Sequence, residues 1–347
     1  MPRKLLKRPT IGDVARECRV GRMTVSRVVN GGKLVSPATA ARVREVIRKL
    51  GYEPNEAARM LKGKSSQTIG MIVPDLADTF FSICANAVQQ LAAKQGYLTL
   101  LLASERDSNT ETTEIDMMKS RNIAGIVIVP SSPNSIIQLQ DVRARGLPVV
   151  MLDRTFPGLD AAEVMVENER GAEKAVQHLI GHGHRNILCV GYDSQFNSVG
   201  LRIKGYRKAM SKASLDPELL VTDAVSEIEA KLLKRLRSSE APTAIFCLNN
   251  VTSIHVLQML QRENIRVPNQ VSIIGFDDFD MAGLLRVPLT AVRQPAAELG
   301  RTATNVLLEW IRARKNETPP NRPHIILPTE LVIRRSCGCE TGTDNDE

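Results

Sequence analysis

A chain of 347 residues, 43% hydrophobic and 24% charged, is long enough for two or three domains with a sizeable core and has the composition of a soluble globular protein. It has no run of 18 apolar residues that would predict a membrane span. The opening MPRKLLKRPTIGDVA has cations but no apolar stretch, so no secretory peptide is expected. Six scattered cysteines, at 18, 84, 189, 247, 337 and 339, predict reduced thiols in a cytoplasm rather than a disulfide framework. The net charge of +8 is unevenly placed: Met1 to Lys64 holds 16 of the 46 Lys and Arg but only 5 of the 38 Asp and Glu, net +11, leaving −3 for the rest. Such concentration predicts a module for a polyanion, nucleic acid above all.

The first elements read as short helices. Thr10 can cap a helix with Asp13 as its reciprocal partner, and Ile11, Val14, Ala15 and Cys18 follow on one face. Gly21 interrupts the pattern. In GRMTVSRVVNGG, Val25, Val28 and Val29 form the next apolar face, so the two helices with their tight turn predict a helix-turn-helix. Ser36-Pro37 opens a third helix carrying Val43, Val46, Ile47 and Leu50 inward, and Gly51 ends it. With the valines buried, Arg22, Met23, Ser26 and Arg27 are left to face a major groove, where arginine can pair with guanine and methionine can touch a thymine methyl. Thr24 and Thr10, at the start of the first helix, suit phosphates.

This segment resembles the start of LacI/GalR-family transcription regulators. The matching pieces are T-I-x-D-V-A, V-x-x-x-T-V-S-R-V-x-N, V-S-x-x-T-x-x-R-V, L-G-Y-x-P-N and S-x-x-I-G, in order. The resemblance implies that Arg22 and Met23 read bases, with Arg27 also in the groove, and it adds Asn30 to the DNA contacts. Many members have a small residue such as Ser where this chain has Gly21. It also implies that PNEAARMLKGK is a hinge helix that orders on DNA, with Asn55 and Ala58 at the duplex and Leu61 wedging into the minor groove to bend it.

From Thr68 onward, apolar runs alternate with helical stretches: TIGMIVPD, YLTLLLAS, GIVIVP, VVMLD, NILCVGY, AIFCLN and VSIIGFDD. The pattern predicts parallel sheets covered on both faces, in two doubly wound α/β subdomains with a ligand cleft at the strand carboxyl ends. The resemblance continues to about residue 339 through GLRIKGYRKAM, VPNQVSIIGFDD, LTAVRQPAAELG and LPTELVIRRSCG. It implies the type I periplasmic-binding-protein fold, with three chain crossings expected near 160–167, 277–292 and 318–328. The domains expected are a helix-turn-helix DNA-binding domain over 1–52, a hinge over 53–65, an effector-binding and dimerisation core over 66–339 and an acidic tail over 340–347.

Polar residues end the strands where the cleft would lie: Asp75, Asp153, Asn249, Asn250, Asp277 and Gln294. The resemblance implies effector contacts from Asp153, Arg202, Phe246, Asn249, Asp277 and Gln294, with Phe80 stacking on a sugar or base ring. Carboxylates and amides suit a polyhydroxylated ligand, a sugar or a derivative such as a sugar acid. Asn250 replaces the family's common Asp.

Other patterns are set aside. HLIGHGH spaces His178, His182 and His184 as a metal could use, but it lacks the HExxH glutamate, and Gly181 and Gly183 suggest a helix end. Cys337 and Cys339 read as a spare exposed pair of thiols. No P-loop or G-x-S-x-G is present, and Asp277-Asp278 forms no acid/base pair on sequence alone. The expectation is therefore a non-enzymatic cytoplasmic regulator, a repressor by family habit, without cofactor or metal. It would bind double-stranded palindromic operator DNA as a homodimer, under control of a small effector and away from membranes. A sugar-transport protein with a basic extension, or a sugar- or nucleotide-processing enzyme, would not explain the helix-turn-helix.

Overall fold

The computed structural model describes residues 9–29, 34–52, 66–156, 158–192, 196–315 and 322–339. Asn30, Asn55, Ala58 and Leu61, with the whole expected hinge and acidic tail, lie outside the described residues. The chain divides into two compact units, Met1–Ser66 and Gln67–Glu347.

The small unit contains α1 (Ile11–Glu17), α2 (Arg22–Val29) and α3 (Pro37–Leu50), and local chemistry sets their boundaries. The Thr10 hydroxyl accepts from the Asp13 backbone N–H while the Asp13 carboxylate accepts from the Thr10 N–H at 2.9 Å. This capping box satisfies two backbone donors that the helix leaves over, worth about 1 kcal/mol. Ser36 caps α3, Pro37 occupies its first turn, and Gly51 closes it in the left-handed conformation. Val14, Ala15, Cys18, Val25, Val28 and Val43 form the buried centre, ringed by half-buried Ile11, Val29, Val46, Ile47 and Leu50.

The large unit holds two six-stranded sheets. The first contains β1 (Thr68–Val73), β2 (Leu98–Ala103), β3 (Ile126–Ile128), β4 (Val149–Leu152), β5 (Ala162–Val166) and β11 (His324–Leu327), in the order β11-β5-β4-β3-β1-β2. The second contains β6 (Ile187–Tyr192), β7 (Glu218–Thr222), β8 (Ala244–Cys247), β9 (Ser272–Phe276), β10 (Thr290–Arg293) and β12 (Glu330–Val332), in the order β12-β10-β9-β8-β6-β7. Pairing is parallel except where β12 runs antiparallel to β10.

The helices of the first subdomain are α4 (Thr79–Lys94), α5 (Ser108–Ser120), α6 (Ile136–Ala144) and α11 (Ala296–Lys315); those of the second are α7 (Asn168–Gly181), α8 (Asn197–Lys212), α9 (Ile228–Leu236) and α10 (Asn250–Arg262). Each sheet has an apolar cluster on both faces, as burial on both sides of a parallel sheet requires. α7 and α8 approach so closely that a β-carbon at Gly205 would overlap the Glu169 carbonyl oxygen.

The chain crosses between the sheets three times. It crosses after β5, at Glu167, and between β11 and β12, at Pro328-Thr329. The crossing expected near 277–292 is corrected. β9 and β10 both belong to the second sheet, and the chain between them makes only a short 3-10 turn, Asp280–Gly283. The second crossing follows β10, at Gln294-Pro295, where α11 returns to the first sheet. Besides β10, which was read only through Gln294 at its end, strands β5, β7, β11 and β12 were not among the apolar runs read from the sequence. Glu163 interrupts β5, and the other three alternate or stay half-buried along a sheet edge.

Candidate functional site

In the small unit, burying Val25 and Val28 leaves Arg22, Met23 and Arg27 on the open face of α2, with Met23 66% exposed. Thr24 and Ser26 are half-buried beside them. The salt bridges of this unit, among the described residues, are Arg16–Asp13 and Lys49–Glu17, so neither Arg22 nor Arg27 is held in one. Thr10 is committed to its cap: its hydroxyl donates to the Asp13 carboxylate at 2.7 Å. Hydrogen bonds from the Thr10 side chain and backbone hold the Asp13 carboxyl below its usual value.

In the large unit, residues from both subdomains line a nearly closed cleft that opens to solvent and whose cavity volume is about 30 Å³. Asp153 follows β4 and Asp277 follows β9, and both take left-handed backbone, φ 62° and 72°. Such a conformation in a non-glycine residue costs about 1 kcal/mol or more and collects at functional sites. Arg202, on α8, lies between them with 3% exposure. It donates to Asn168 Oδ1 at 2.8 Å, to the Leu248 carbonyl at 2.8 Å and to Asp277 at 3.1 Å, and its guanidinium stacks 3.8 Å from the Phe276 ring centre. Gln294 Nε2 donates to the other Asp277 oxygen.

Asp153 is held more loosely, 3.9 Å from Arg202 and 3.8 Å from Arg154. Burial pushes its carboxyl up to about 6, against the pull of Arg202 and Arg154. Among the described residues, Asp153 Oδ1 and Gln294 Oε1 are buried acceptors that no donor reaches. An unmet buried acceptor costs about 1–3 kcal/mol, so these atoms favour a ligand that brings hydroxyl or N–H donors.

Contacts also span the cleft. Asn250, at the start of α10, donates to Asp78, the N-cap of α4, at 2.9 Å. Asn197 donates to Thr155 at 2.6 Å, and the Arg154 guanidinium lies 3.9 Å from the Phe196 ring centre.

Seven expected effector residues line this cavity: Phe80, Asp153, Arg202, Asn249, Asn250, Asp277 and Gln294. Two are not brought to it. Asp75 caps its own turn through the Ala77 N–H, and Phe246 is wholly buried in the core of the second subdomain. Asp78, Arg154 and Asn168 were missed. Asp78 could have been found as the helix cap before TFF, but nothing local marks the other two. Asp277 and Asp278 do diverge: Asp278 is gripped by Arg293 and Arg334. The thiols read as a spare exposed pair are neither exposed nor apart from other donors. Cys337 is buried and Cys339 half-buried, both against His178.

Residues 10–55 match the model for bacterial regulatory proteins of the lacI family, and residues 176–337 match a periplasmic binding protein-like domain. The regulator DegA of Bacillus subtilis (strain 168) is 32% identical over 336 residues, covering 94% of this chain and 97% of DegA. The repressor CytR of Escherichia coli (strain K12) is 31% identical over 331 residues, covering 94% and 96%. Among solved structures, a lac repressor dimer bound to operator and the anti-inducer ONPF superposes with a TM-score of 0.83 at 24% identity, over 95% of this chain and 99% of that one. A CelR–cellobiose complex does so with a TM-score of 0.69 at 26% identity, over 95% and 100%. A three-helix unit with an open cationic helix, two parallel-sheet subdomains and near full-length relatives agree: the chain belongs to the lacI family of bacterial transcriptional regulators.

Proposed function

We propose that this protein is a repressor that binds a palindromic operator as a homodimer in the cytoplasm, released or retained by a neutral, hydroxyl-rich effector in the cleft. The observation that carries the effector reading is the pair of buried, unmet acceptors, Asp153 Oδ1 and Gln294 Oε1. Both call for donors from the ligand. The cleft's acidic groups Asp78, Asp153 and Asp277 are balanced by Arg106, Arg154 and Arg202, and Arg202 is already engaged by Asp277. That arrangement favours a neutral sugar over a sugar acid. Asn250 does not count against it, because its amide is spent on Asp78. The CelR complex with cellobiose supports the same ligand class.

The DNA half of the reading rests on Arg22, Met23 and Arg27, left outward when α2 buries its valines. Each protomer places one α2 in a major groove, two half-sites matching the dimer's symmetry. Leu61 serves as the minor-groove wedge. Effector binding shifts the subdomains and thereby the DNA affinity, a coupling between two sites.

The test is a thermal-shift screen of the full chain with neutral sugars, sugar acids, sugar phosphates and nucleobases. A neutral sugar at a hundredfold excess over its dissociation constant raises stability by about 2.7 kcal/mol, and Asp153→Asn removes the shift. Stabilisation by charged sugars or bases alone would overturn the neutral-sugar reading.

A further inference from the structure

The end of α7 and the last described turn bring together four side chains that the cleft does not use. His178 and its i+4 neighbour His182, the C-cap residue, face the same way, with ring centres 4.6 Å apart. Cys337 and Cys339 follow β12, and Gly338 between them sits at φ 92°, a conformation that favours glycine. This turn presents both sulfurs to the histidines. His178 Nε2 lies 3.3 Å from Cys337 Sγ and 3.4 Å from Cys339 Sγ, and His182 Nε2 lies 3.0 Å from Cys339 Sγ. The donor atoms of His178, His182 and Cys339 all lie within 4.8 Å of one another.

Zinc bonds of about 2.0–2.1 Å to nitrogen and 2.3 Å to sulfur put the donors of a tetrahedral site about 3.3–3.8 Å apart. The three nitrogen–sulfur separations need only a few tenths of an ångström of change to reach that; His178, His182 and Cys339 form the compact trio, and Cys337, against His178, swings inward to complete the set. The thiols form no disulfide, and the Thr290 hydroxyl donates to Cys337 Sγ at 3.1 Å, fixing its direction. His182 is exposed, giving a cation a way in.

We propose that His178, His182, Cys337 and Cys339 form a tetrahedral zinc site. It lies about 15 Å along α7 from Asn168, outside the effector cleft. The ion ties the turn after β12 to α7. β12 enters from the third crossing and α7 leaves from the first, so one ion fastens together the segments that follow two of the three connections. Zinc binding releases the protons of both thiols, with no change in oxidation state.

Cobalt(II) titration of the reduced, chelator-stripped full chain tests this. The expected result is saturation at one cobalt per chain. It brings the intense ligand-field bands of a tetrahedral site and thiolate-to-cobalt charge transfer, both erased by added zinc. His182→Gln, a change at an exposed position, weakens cobalt binding at least tenfold, and Cys337→Ser halves the charge-transfer intensity. A stripped chain without these bands at equimolar cobalt would overturn the site. So would a His182→Gln chain that binds cobalt as tightly as the parent, and unchanged charge transfer in a folded Cys337→Ser chain would overturn the two-cysteine ligand set.

Discussion

The two arginine-bearing faces of this protein are built in opposite ways. On α2, Arg22 and Arg27 point outward and no salt bridge among the described residues holds them. In the cleft, Arg202 is almost wholly buried and is fixed by Asn168, Leu248, Asp277 and Asp153. An open arginine keeps its hydrogen-bonding capacity for a partner. A locked one organises its neighbours and leaves the receptive atoms elsewhere, here on Asp153 and Gln294. The same residue type is therefore a reader in one place and a scaffold in the other.

The sharpest way to break this contrast is to remove each arginine and measure both stability and binding. Arg202→Met leaves Asp277 buried without its main partner, and losing one member of a buried pair costs about 3–5 kcal/mol. Urea unfolding of the full chain will show that loss, together with loss of the effector shift. Arg22→Ala leaves stability within about 0.5 kcal/mol of the parent but weakens operator binding by about 1–3 kcal/mol and relaxes preference at one base position. Equal weakening on every DNA sequence would make Arg22 a phosphate contact instead.

Proton binding separates the scaffold from the receptive atoms. The Asp153 carboxyl is raised to about 6 by burial. The folded chain therefore holds a proton there that the unfolded chain has lost. Its contribution to stability is fully present below the ordinary aspartate value near 4 and is lost as pH rises through about 6. A ligand hydroxyl donating to the ionised oxygen has the opposite dependence: affinity grows as pH rises through 6, by at most about tenfold per unit below it. Melting curves with and without effector at about pH 5 and pH 7.5 will diverge accordingly, and Asp153→Asn will flatten both trends.

The smallest effect concerns the clasp. Asn250→Asp sets a carboxylate against Asp78, already raised by burial. It weakens subdomain closure by about 1 kcal/mol, visible as a larger radius in small-angle scattering and a smaller effector shift. An unchanged radius would mean that Asn197–Thr155 and Arg154–Phe196 hold the cleft alone.

The same contrast explains what could be read from the sequence. The small unit was legible because its determinants are local: Thr10 with Asp13, Ser36 with Pro37, Gly51 at a helix end and valines at helical spacing. The strands with unbroken apolar runs were legible too. Phe246 was misplaced because β8 is buried on both faces, so no alternation tells which side chains meet the cleft. Arg154 and Asn168 gain their roles only when crossings bring distant segments together. The second crossing was mislocated because β9 and β10, though separated by a polar turn, pair directly with each other. His178, His182 and the CGC turn lay 155 residues apart from His182 to Cys337, a distance across which spacing rules carry nothing.

Gln294 lies on the second crossing itself, and Asn168 begins the helix that follows the first. Both are hydrogen-bonded into the Arg202–Asp277 network. Ligand recognition and subdomain movement thus draw on shared side chains. A substitution there that changes which effector is accepted also resets how readily the protein opens without one. Retuning specificity alone must work from the part of the wall outside that network, at Phe80, Arg106 or Asn249. Among relatives that have diverged in effector, variation is expected to concentrate on that part of the wall, and changes at 168 or 294 to come with compensating changes in the basal response.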